Sequence, residues 1–78
     1  MIIRSQDKKT ITTDLNLEIY VDDKKNEYII GNVMRGRYGT YSTEEKAIKV
    51  LDMIAQNYVE SEKYIIRRVF EMPQDSEV

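Results

Sequence analysis

One stretch of this chain carries clear helical spacing. Ala47, Ile48, Leu51, Ile54, Ala55 and Tyr58 recur at steps of three and four residues, which gathers them on one face of a helix. Lys46, Lys49, Asp52 and Gln56 fall mainly on the other side. Ahead of the stripe, Ser42 and Glu45 have the spacing of a capping box, hydroxyl to the third amide and carboxylate back to the cap's own amide. Glu44 and Glu45 also place negative charge where the helix dipole favours it. The spacing predicts a helix over about residues 43–58. A lone amphipathic helix cannot bury its apolar face by itself, so the rest of a 78-residue chain must supply the surface that covers it.

That surface reads as strands. Leu15, Leu17, Ile19 and Val21 alternate with Asn16, Glu18, Tyr20 and Asp22, the period of a half-buried strand. "MIIR" suits a short first strand, and "TITTD" resumes β-branched residues after the polar "SQDKK". "DDKKN" supplies a hairpin loop, "EYIIGNVM" the returning strand and "YGTY" a further short one. Gly31 marks a bulge or a close approach to the helix, and Gly36 in "RGR" is free to take positive φ. Residues 63–72 alternate as a final strand, with Tyr64, Ile66, Arg68 and Phe70 on one side. Ile65, Ile66 and Val69 also continue the helical spacing, and both readings stand. Pro73 ends either element.

The expected fold is therefore α+β: a small antiparallel sheet of four to five strands with the one helix on one face, in the order β-β-β-β-α-β. Residues 1–73 form a single domain, and the acidic "QDSEV" of residues 74–78 a flexible tail.

Composition narrows the chemistry. With no Cys and no His, disulfides, structural zinc sites and imidazole-based catalysis are excluded. No glycine loop has phosphate-cradling spacing, so neither an enzyme nor a cofactor is expected. The adjacent carboxylates Asp22/Asp23 and Glu44/Glu45 read as solvated turn and first-turn charges. Twelve basic residues against 14 acidic ones leave none of the basic excess of a duplex-binding domain. No run approaches the roughly 18 apolar residues of a membrane span. Absence of cysteine and of a signal-like start makes the cytoplasm the expected location.

The opening "MIIRSQD", the middle "GTYSTEEKAIKVLDMI" and the ending "VFEMPQD" together resemble a set of small proteins of Gram-positive bacteria and their phages. That resemblance spans nearly the whole chain and implies a bacterial or phage origin, with no particular chemistry. "YGTYSTEEKAIKVLD" is similar to the strand-to-helix joint of ethylene-response-type DNA-binding domains and of phage integrase arm-binding domains. The similarity implies a three-stranded sheet laid in the major groove, with Arg and Trp reading bases. This chain has no Trp.

The residues most suited to recognition are the arginines. Arg35 and Arg37 flank a tight turn beside Tyr38 and Tyr41, and Arg67 and Arg68 lie near the end of the chain. Together they form a candidate surface for a protein partner or an anion, because the guanidinium fork suits carboxylate and phosphate and Arg and Tyr favour interface centres. The structural alternative is that Arg67 and Arg68 point to opposite faces and one pairs with Glu60 or Glu62. The expected role is a small accessory or inhibitory binding protein acting on a protein partner. Homodimerisation, a phosphorylated small ligand such as a nucleotide, and nucleic acid are the further options.

Overall fold

The structure, a computed structural model, describes residues 1–13, 15–64 and 68–78. It is α+β, but its strands fall into two sheets of three. β1 (Ile2–Arg4) and β2 (Ile11–Thr12) form a hairpin, and β6 (Val69–Glu71) pairs with β1 to complete a terminal sheet in the order β2-β1-β6. β3 (Glu18–Asp22), β4 (Glu27–Asn32) and β5 (Gly36–Tyr41) form a central antiparallel sheet, followed directly by the helix α1 (Glu44–Tyr64). The single sheet and four leading strands expected from sequence are thus corrected to two sheets and five leading strands. β1 and β6 run parallel, with Ile3 opposite Phe70. Parallel neighbours need a long connection, and here the whole central sheet and helix provide it.

The hairpins follow their local chemistry. Between β3 and β4, the Asp22 carboxylate accepts the Lys24 and Lys25 amides at 3.1 and 3.4 Å, and Asn26 takes φ 53°. Gly31 sits where the β4–β5 register shifts. A Cβ there would lie 2.3 Å from the Gly36 carbonyl oxygen, so the close approach is to β5 backbone and not to the helix. Gly36 itself has φ +143°.

α1 begins one residue later than the capping box suggests. Thr43 Oγ1 accepts the Lys46 amide at 3.2 Å, and the Thr43 carbonyl takes the first helical bond from Ala47. The helix then runs on to Tyr64, six residues past the expected end. No Gly or Pro occurs between Gly39 and Pro73, so nothing local stops it when the apolar spacing fades. Lys63 and Tyr64, expected at the start of the last strand, are helical, and residues 65–67 of that segment lie outside the described residues.

The core gathers Ile3, Phe70 and Met72 from the terminal sheet side, Ile30, Tyr38 and Tyr41 from the central sheet, and Ala47, Val50 and Ile54 from α1. Gln6 joins the two sheets. Its amide donates to the Tyr38 carbonyl at 2.8 Å, and its side chain bonds the backbone of Thr40 and the Pro73 carbonyl. The end of the chain closes over the helix start. Asp75 and Glu77 bound a 3-10 turn, the Asp75 carboxylate accepts the Ser42 amide at 2.8 Å, and Lys46 Nζ donates to the Asp75 carbonyl at 2.9 Å. No described helix is long and apolar enough to cross a membrane.

Candidate partner-binding groove

A helix is about 10 Å across and neighbouring strands lie about 4.8 Å apart, so one helix covers about two strands of a sheet. α1 takes β4 and β5. The inner face of β3 is left at its flank. Of the row Leu15, Leu17, Ile19 and Val21, expected to be buried together, only Leu17 and Ile19 are half-buried against the core, while Leu15 and Val21 are exposed.

The helix contributes to the same gap. Its buried line is Ala47, Val50, Ile54 and Ser61, with Leu51 half-buried. Ile48, Ala55 and Tyr58, assigned to the buried face by spacing, are exposed. The apolar stripe in the sequence is wider than the surface the sheet can cover. Between the two uncovered edges lies a groove of about 300 Å³ lined by Leu15, Leu17, Leu51, Ile54, Ala55 and Tyr58.

The groove's wall on α1 has a single sign of charge. Stepping by three and four from the lining residues leads along Glu44, Ile48, Asp52, Val59 and Glu62. Every charged member of that row is acidic. Of the helix lysines, Lys49 stands beside Ile48 and Asp52, away from the groove lining, and the other two have their own neighbours. Lys46 holds Asp75, and Lys63 Nζ lies 5.4 Å from the centre of the Tyr64 ring.

The arginine surface predicted from sequence is dispersed. Arg37 reaches a carboxylate oxygen of Asp22 at 3.5 Å, and Arg68 reaches Glu60 on α1 at 3.0 Å, the structural alternative weighed above. Arg4 pairs with Glu71 at 3.4 Å. Arg35 is exposed in the β4–β5 turn, where its amide donates to the Asn32 carbonyl, and Arg67 lies outside the described residues. Tyr38 and Tyr41, expected as their aromatic neighbours on the surface, are core residues, 6% and 1% exposed. The Tyr41 hydroxyl donates to the Pro73 carbonyl at 2.8 Å, and burial, then Asp75 and Glu77, pushes its pKa well up. Glu60 is held below the usual carboxylate range by the Gln56 amide and by Arg68.

Ile29 is fully enclosed although it belongs to the side of the central sheet away from α1. Tyr20, Ile29 and Thr40 are register partners across that outer face, and the Arg37–Asp22 pair spans it. By alternation Glu18, Asp22 and Glu27 share this face with the one arginine.

Among the described residues no three acidic side chains cluster as a metal site requires. No protein-family model matches the chain, and neither do the curated proteins or the solved structures compared with it.

The groove escaped the sequence reading because each of its walls was assigned to the core. The signal was present in the width of the helix stripe. Ile48, Leu51, Ala55, Tyr58 and Val59 exceed what one small sheet can cover alongside Val50 and Ile54.

Proposed function

We propose that this protein is a small non-enzymatic accessory factor that binds a protein partner through the groove between β3 and α1. One observation carries the reading: two apolar edges, one on the segment that enters β3 and one on α1, face each other with Leu15, Ala55 and Tyr58 exposed. Leaving such surface in water forgoes roughly 25 cal/mol for each Å² that a partner would bury. A groove of this kind also suits side-chain anchors better than a reacting substrate, since Tyr58 is the one described titratable group that lines it and the rest of the lining is aliphatic.

The test uses Ala55→Gln. The site is exposed and Gln is a good helix former, so folding should be retained while a longer polar side chain occupies the groove. Wild type and variant would be used to capture proteins from a lysate of the organism that encodes the chain. A partner held by wild type and lost by the folded variant supports the reading. A partner retained by the variant binds elsewhere and overturns it.

A further inference from the structure

We infer that the occupant of this groove is an amphipathic helix of another protein with basic residues along its polar edge. The inference rests on the groove being the binding surface and specifies what fills it.

The shape argues for a helix. The uncovered strip is formed by the side chains of Leu15 and Leu17, just ahead of β3 and in line with its inner face, so a strand added at the sheet edge would extend the sheet without entering the groove. A helix beside α1, at the 8–10 Å spacing of packed helices, would lie over β3 and complete a two-helix layer on a three-stranded sheet. From Leu51 to Tyr58 the wall spans seven residues, about 10 Å of helix, which two turns of a partner match with anchors at three- and four-residue spacing. An enclosed site of about 150 Å³ takes a benzene-sized group. The groove's 300 Å³ therefore suits about two large apolar side chains.

Charge decides which helix. The row bordering the groove on α1 offers Glu44, Asp52 and Glu62 and no Lys or Arg. Lys or Arg on a partner's flank would meet these carboxylates, as the edge positions of paired helices do. The same row argues against a second copy of this chain. Two copies docked through this flank would bring acidic rows together, and like charges across a seam are repulsive.

The experiment uses two synthetic helical peptides of about five turns with one shared Leu/Ile face. One carries Lys and Arg on its polar face and the other Glu. Binding to the full chain is followed by fluorescence anisotropy, and its oligomeric state by sedimentation. The expected result is a preference for the basic peptide of about tenfold or more at low salt, narrowing as salt is added. Asp52→Lys with Glu62→Lys should reverse the preference, and the neutral block Ala55→Gln should abolish binding of both peptides. Equal binding of the two peptides, both blocked by Ala55→Gln, overturns the basic partner but leaves the groove as the binding surface. Binding of neither peptide overturns the helical occupant. A dimer that Ala55→Gln dissociates overturns it in favour of a second copy. Binding that survives Ala55→Gln overturns the groove itself.

Discussion

The side chain of Gln6 pairs with Thr40 as a neighbouring strand would. Its Oε1 accepts the Thr40 amide at 3.0 Å and hydroxyl at 3.3 Å, while its Nε2 donates to the Thr40 carbonyl at 3.1 Å and to the Pro73 carbonyl at 3.0 Å. One primary amide thus closes the outer edge of β5 and holds the last segment of the chain. Gln6→Ala should cost about 2 kcal/mol, because several partly buried groups lose partners at once. In a domain of this size that lowers the melting temperature by roughly 10 °C. Gln6→Glu should be no better at neutral pH, since a carboxylate cannot donate to the Thr40 and Pro73 carbonyls. A melting temperature within a degree of wild type for both variants would show that the clasp is dispensable.

The helix start gives a second expectation. Thr43→Ala removes the acceptor for the Lys46 amide and should cost about 1 kcal/mol. Ser42→Ala removes only an exposed bond from the hydroxyl to Asp75 at 3.1 Å, and the Ser42 amide keeps its own bond to that carboxylate. Its cost should be about half as large. Denaturant melts of the two variants compare them directly, and the reverse ranking would place the cap at Ser42.

The buried line on α1 is testable with two alanine substitutions. Val50 is fully enclosed, so Val50→Ala should cost about 2 kcal/mol. Ile48 is 45% exposed, and Ile48→Ala should stay within about 0.5 kcal/mol. Equal losses in chemical denaturation would mean that α1 presents a different face to the sheet.

Acid should unfold the protein from below the ordinary carboxylate range. Asp7 is held down by the Ser5 hydroxyl, Glu60 by the Gln56 amide and Arg68, Glu71 by Lys8, and Asp75 by the Ser42 amide. Each is lowered in the folded state, so the unfolded chain binds protons first as pH falls. The stabilisation is complete above about pH 5 and is lost as pH falls through the lowered folded values. Melting temperature followed from neutral pH to pH 2 should decline in this window. Asp75→Asn should flatten part of the decline; an unaltered acid limb would remove Asp75 from the account.

Much of this architecture was legible wherever local chemistry decides it. Asp22 and Asn26 shape their turn whatever surrounds them, and the stripe from Ala47 to Tyr58 names a helix in any context. Pairing at a distance was not legible. Nothing in "MIIR" indicates that its neighbour is "VFE", because both are short apolar runs that fit any sheet. Val50 was passed over in the stripe although it is enclosed, since the position of the sheet under α1 decides which part of a broad apolar face is covered. Gln6 lies in a stretch that reads as a polar turn, and its role depends on Thr40, 34 residues away. The candidate site was hidden for the same reason. Leu15 and Ala55 look like core until the width of one helix is set against three strands.

The parallel pairing of β1 with β6 sets an order in time. Glu18 to Tyr64 holds a hairpin, a third strand and a helix, each in contact with what precedes it, so this part can fold while the chain is still being made. Ile3 must wait for Phe70. Until β6 leaves the ribosome, β1 has only its hairpin partner β2, so a strand made before the central sheet is secured after it. A ribosome that stalls before Val69 therefore leaves a central sheet and helix with an open flank where Ile3, Phe70 and Met72 belong.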